Sequence, residues 1–156
     1  MNKRKKTTIN VKEWLLRYRD AKNETRRIID EYNEMVQIQE MASAIKYSDM
    51  PKASNYERDL SNLMVSRDEK LTQFILANRK MDTIFREISD MVMTLERQRE
   101  KDVIDMRYLN MNGYKLKTWD EISRIMHMEK SGVLKIHGVA LRKIGERLEK
   151  FPPFSS

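Results

Sequence analysis

Cysteine is absent from the 156 residues, which excludes a disulfide framework and any thiolate-based metal or catalytic site. Glycine (four) and proline (three) are scarce, which leaves little material for the turns of a many-stranded β fold. No apolar run approaches the roughly 20 residues needed to cross a bilayer. The basic N-terminus has no apolar stretch behind it, so it does not read as a secretory signal. Histidine occurs twice, at His127 and His137, with no carboxylate set or activated serine nearby in sequence, so the elements of acid–base and nucleophilic catalysis are missing. These absences point to a soluble cytoplasmic protein with no enzymatic activity, no cofactor and no membrane partner.

What remains is charge and helical pattern. Charged residues make up 35% of the chain and apolar residues 40%, a balance that fits long amphipathic helices and an all-α fold. The formal net charge is +7. Four of those charges sit in Lys3, Arg4, Lys5 and Lys6, and a further excess of four lies between Asn112 and Ser156, so the middle is close to neutral. Positive ends suit a polyanionic partner, and a balanced middle suits a solvated helical body.

Two long helices are legible. The first runs from about Asn10 to Ala44, with Val11, Trp14, Tyr18, Ala21, Thr25, Ile28, Tyr32 and Met35 at alternating steps of three and four. Asn10 is its expected N-cap. Pro51 breaks the pattern, because it disfavours helical geometry at Met50, and residues 46–55 read as a loop. The second helix repeats Leu60, Met64, Arg67, Leu71, Phe74, Asn78, Met81, Phe85, Ile88, Val92 and Leu95 in heptad spacing, and Leu63, Ile75, Ile84 and Met91 widen the seam. A seam of that length needs a partner: the first helix folded back as an antiparallel hairpin, or a second copy of the chain. Arg67 and Asn78 interrupt it, either fixing register or lying at its edge.

The charged run Glu96–Asp102 reads as a solvated helical stretch with internal ion pairs or as a joint. A short amphipathic helix follows, carrying Val103, Ile104, Met106, Arg107, Tyr108 and Leu109. Then comes a loop over residues 110–117 with Gly113 as its turn residue. From Thr118 the pattern is that of two short helices joined by a tight turn. Thr118 and Glu121 have capping-box spacing. Trp119, Ile122 and Met126 share a face. His127 stands where the helix must stop in a left-handed residue. In the helix after it, Val133, Ile136, Ala140, Leu141 and Ile144 fall at core spacing, which leaves Lys130, Ser131, Leu134, Lys135, His137 and Gly138 for the other face. This layout is a helix-turn-helix, whose second helix enters the major groove of duplex DNA. Lysines there meet phosphates or guanine edges, Ser131 a phosphate or base, and Leu134 a thymine methyl. Arg142, with Lys143 and Arg147, extends the basic character, and Lys117 and Thr118 join the candidate contacts at the head of the first helix. Gly132 and Gly138 weaken the helix, a cost that close approach to DNA would justify.

The span Thr118–Ile144, with Arg107-Tyr108-Leu109 before it and Ala140-Leu141-Arg142-Lys143 at its close, resembles region four of primary-type sigma factors. With the N-terminal Leu15-Leu16-Arg17-Tyr18-Arg19-Asp20-Ala21-Lys22 and the Met50-Pro51-Lys52 loop, most of the chain resembles the ArpU/RinA-type phage late-gene regulators. The resemblance implies a basic arm (residues 1–9), a helical hairpin body (10–99), a helix-turn-helix domain (100–150) and a tail (151–156). It also implies a sequence-specific transcriptional activator in a bacterial host, with double-stranded DNA, RNA polymerase and a second copy of the chain as expected partners. Glu129 stands where the resemblance has Ser or Thr, which makes Ser131 the expected cap of the second helix. Two rival readings use the same features: a small terminase-type packaging protein, and a coiled-coil adaptor that does not bind DNA. The Phe151-Pro152-Pro153-Phe154 tail reads as a docking element for polymerase or a subunit, or simply as a stop to the last helix.

Overall fold

The computed structural model describes residues 10–46 and 53–151. The basic arm, the Met50-Pro51-Lys52 loop and the tail beyond Phe151 lie outside the described residues. The fold is all-α: α1 (Val11–Lys46), α2 (Ala53–Met93), α3 (Gln98–Ile104), α4 (Trp119–Met126) and α5 (Lys130–Lys150). No described helix is long and apolar enough to cross a membrane.

α1 and α2 pack antiparallel, as the hairpin reading expected. The chain divides into two compact units, each holding part of the pair: Met1–Asp20 with Thr83–Ser156, and Ala21–Asp82. In the second unit, Lys70 pairs with Glu31 at 2.5 Å and Arg67 Nη1 donates to Gln39 Oε1 at 2.6 Å. Arg67 therefore sits half-buried at the edge of the seam with a polar partner on the facing helix. Thr25 is buried on the apolar stripe of α1, and its hydroxyl donates to the Ala21 carbonyl one turn back. Not all of the seam is covered: Met64, Leu71 and Ile75 stay exposed.

In the first unit, Asn10 caps α1 by accepting from the Glu13 amide at 3.3 Å. Tyr18 meets Phe85 edge-on with ring centroids 5.2 Å apart, and Arg17 pairs with Glu87 at 2.8 Å. Trp14, Leu15, Ile88 and Val92 are buried here, and Gly145 of α5 brings a missing Cβ position within 3.1 Å of Val11 Cγ2.

The charged run after α2 corrects one of its two sequence readings, the solvated helical stretch. α2 stops at Met93, a turn carries the chain through the buried Leu95, and α3 starts afresh at Gln98. Glu100 is not solvated but only 3% exposed. Both of its carboxylate oxygens accept from Lys143 Nζ of α5, at 2.9 and 3.0 Å. A run charged at every position but Gln98 gives no sign of which member turns inward; the partner 43 residues away decides it.

Candidate nucleic-acid interface

α3 does not end cleanly. It runs into a π-helical turn, Asp105–Leu109, closed by the Asn110 amide on the Asp105 carbonyl at 2.7 Å. The extra residue in that turn shifts the helical register, so that both Tyr108 and Leu109 are buried. A tight hairpin follows, with Asn112 and Lys115 exchanging backbone hydrogen bonds of 2.9 and 3.2 Å. Gly113 takes φ +64° at its first central position, the conformation for which the sequence supplied a glycine.

Half of the expected capping box is present at α4. Thr118 Oγ1 accepts from the Glu121 amide at 3.2 Å. The Glu121 carboxylate turns to the Asn112 side-chain amide instead, at 2.5 Å, and so fastens the hairpin to α4. α4 stops as expected at His127, in the left-handed region with φ 52° and ψ 43°. The His127 amide donates to the Arg124 carbonyl and the Met128 amide to the Ser123 carbonyl, the paired bonds of a Schellman stop. α5 begins three residues after His127, at Lys130. Its N-cap is Glu129, which makes no side-chain capping bond, so Ser131 is not the cap but lies inside the first turn.

The two helices close on a core of Val103, Ile122 and Val133, with Met106, Trp119, Met126, Met128 and Ile136 packed around it. Seating Val133, Ala140 and Ile144 in the interior orients α5, and the residues opposite them face solvent. Ser131, Leu134, Lys135, Gly138 and Arg142 are all exposed on α5, and Lys130 is exposed at its head. Lys130 Nζ lies 3.5 Å from an Asp120 carboxylate, with both side chains more than half exposed. Such a surface pair contributes little and is readily exchanged for a phosphate. Thr118 is exposed at the head of α4.

His137 corrects the expected contact set. It is 5% exposed and faces the interior, because it lies four residues after Val133 and three before Ala140. That spacing was present in the sequence, but the polar side chain argued against a core position. Its Nε2 lies 2.8 Å from the Tyr108 hydroxyl, and its ring meets Trp119 edge-on with centroids 4.6 Å apart. Arg107 lies over the other part of this cluster, 4.5 Å from the Trp119 ring centroid. Burial, then the positive charges of Lys12 and Arg107, push the His137 pKa down to about 4, so the imidazole is neutral at physiological pH. Burial also raises the Tyr108 pKa and keeps its hydroxyl protonated, with Arg107 opposing the rise.

Three further cations are partly committed. The Lys117 ammonium donates to the Asn110 carbonyl and is half-buried, which ties the end of the loop back on its start. Lys143 is held by Glu100, and Arg147 Nη1 donates to Thr94 Oγ1 at 2.7 Å. Neither Lys143 nor Arg147 is a free backbone-steering group.

The chain matches no protein-family model, no curated protein and no solved structure.

Gly132 and Gly138 of α5 differ. A Cβ at Gly132 would meet the terminal methyl of Met128 at 3.2 Å, a tight contact that a small shift of that flexible side chain relieves. A Cβ at Gly138 would meet nothing within 4 Å, so no intramolecular packing accounts for a glycine on the exposed face.

Proposed function

We propose that the protein is a sequence-specific DNA-binding transcriptional regulator in which α5 is the helix that enters the major groove. The observation that carries this reading is the division of α5 into two faces. Val133, His137, Ala140 and Ile144 are buried, while Ser131, Leu134, Lys135 and Gly138 are exposed behind a Schellman turn from α4. The exposed face carries cations, a hydroxyl and an apolar side chain, the groups that meet phosphates, base edges and thymine methyls. The resemblance of residues 118–144 to region four of sigma factors adds the expectation of a phage late-gene activator acting with RNA polymerase in a bacterial cytoplasm.

A single small reader with few free cations binds DNA weakly, and specific affinities of about 10⁻⁸ to 10⁻¹¹ M usually call on more than one module. A second copy of the chain meets that need. The seam positions Met64, Leu71 and Ile75 are spaced at seven and four residues on α2 and exposed, which favours a further helix against them. A dimer would prefer half-sites about 34 Å apart.

The deciding experiment is a selection of duplexes from a random library with the full chain, followed by the Lys130→Glu/Lys135→Glu variant on the selected duplex. Both lysines are exposed, so the variant retains its fold by circular dichroism. On this reading it loses binding, and the wild type shows a log–log salt slope near −4, from roughly four or five phosphate contacts. A wild type that enriches no sequence, or a variant that binds as well as its parent, would remove the proposal. Light scattering on Met64→Lys/Leu71→Lys tests the second copy separately: the wild type is expected to be dimeric and the variant monomeric.

A further inference from the structure

Two arginines that the helix-turn-helix pattern does not include stand beside the exposed face of α5. Arg97, the N-cap of α3, and Arg99, in its first turn, are both exposed. Among the described residues, neither guanidinium has an ion pair or a hydrogen bond to another group. With Glu100, Lys135, Ile136 and Val139 they line a cleft of about 230 Å³ between the start of α3 and the flank of α5. That is several times the ~30 Å³ share of a water molecule, so an anion can enter with part of its hydration.

The charge of this cleft is one-signed. Glu100 is its only acid, and both of its oxygens are already taken by Lys143. With that pair neutralised, Arg97, Arg99 and Lys135 are left as three uncompensated cations over a floor of Ile136 and Val139. Lys135 belongs to both surfaces: it is exposed on α5 alongside Leu134 and Gly138, and it closes the cleft. An anion seated in the cleft is therefore adjacent to whatever α5 reads.

We infer that this cleft is a seat for DNA backbone phosphate, which extends the interface from α5 to the start of α3 through Arg97 and Arg99. The inference rests on the DNA-binding reading and deepens it. Arginine suits the role, because its planar fork of donors matches phosphate oxygens and it stays charged at every relevant pH. Contacts of this kind hold register and orientation and carry no sequence information themselves. They supply cationic contacts that α5 lacks once Lys143 and Arg147 are engaged within the protein.

The test uses the full chain and its Arg97→Gln/Arg99→Gln variant on two probes, the library-selected duplex and a mixed-sequence duplex of equal length. Both side chains are exposed, so circular dichroism and melting are expected to match between the proteins. Losing two phosphate contacts makes the salt slope shallower by about 1.8, so between 50 and 200 mM salt the wild type loses roughly twelve-fold more affinity than the variant. The preference for the selected duplex is expected to stay as it was. An unchanged slope in the variant, while the wild type binds, would overturn the phosphate seat and leave the α5 reading standing. A relaxed sequence preference with an unchanged slope would also overturn it, by making the arginines base readers. A wild type that binds neither duplex would remove the DNA reading itself, and the seat with it.

Discussion

Tyr108 Oη lies 2.8 Å from His137 Nε2, and that one buried hydrogen bond ties the π-helical turn after α3 to the middle of α5. The Tyr108–His137 bond, with Trp119 packed on the same imidazole, helps to fix the rotation of α5 about its own axis, which the proposed groove-reading role would require.

The first prediction concerns pH. The His137 pKa is about 4 in the folded chain against about 6.5 in an unfolded one, so the unfolded state binds more protons between these values. Stability tied to His137 is therefore fully present above pH 6.5 and is lost as pH falls towards 4. The melting temperature of the wild type is expected to fall across that window more steeply than that of His137→Gln, which offers Tyr108 a partner but does not titrate. Parallel slopes for the two proteins would contradict the buried neutral imidazole. Tyr108→Phe, measured at pH 7.5, is expected to cost about 1–2 kcal/mol through the polar group left unpaired.

The second prediction concerns the ion pair between α3 and α5. Lys143→Met leaves the Glu100 carboxylate buried without its cation, which typically costs about 3–5 kcal/mol. The low end is expected here, because the Lys143 side chain keeps about a quarter of its exposure. Glu100→Gln/Lys143→Met removes both charges and is expected to recover most of the loss in urea denaturation. A double variant as unstable as the single one would mean that the pair does more than neutralise Glu100.

His127 gives the third. It holds φ 52° with a side chain that pays for the left-handed conformation. His127→Gly is expected to raise stability by about 1 kcal/mol in thermal melts, since glycine takes that conformation without the Cβ penalty. A loss of stability would show that the imidazole makes a contact that offsets its strain.

The fourth separates stability from binding at Gly138. Alanine there meets nothing within 4 Å and improves helix propensity, so Gly138→Ala is expected to stabilise the free protein by about 1 kcal/mol. If α5 approaches DNA at this point, the same methyl is expected to weaken binding to the selected duplex. Melting and titration on one sample read both effects. A variant that is more stable and binds equally well would place Gly138 away from the DNA.

The periodicity of the long helices was enough to read the all-α fold, because amphipathic spacing over many turns has few other solutions, and it showed that the second helix needs a partner while leaving open whether that partner was the first helix or a second copy of the chain. The motif was legible at its punctuation marks. Thr118, Gly113 and His127 each answer a local backbone requirement that the chain meets within a few residues. Glu100 and His137 were not legible. Each is a polar residue whose burial depends on a partner distant in sequence, Lys143 for one and Tyr108 for the other. The register that brings Tyr108 inward comes from a π turn with no signature of its own. Arg97 and Arg99 were missed for the opposite reason: they stood within a run of charges, and nothing local distinguished them from a solvated helix face.

What the order of residues determined by itself was the set of elements: two long rods and three shorter ones, with their stops and, apart from Ser131, their caps, all governed by interactions over three to seven positions. Which side of α5 turns outward is close to that limit, and the sequence got it right except at His137. Which charges are spent inside the protein, and which stay free for a partner, only the tertiary structure decided. The electrostatic cost of burying a group depends on what the fold brings next to it, and that neighbour stands tens of residues away.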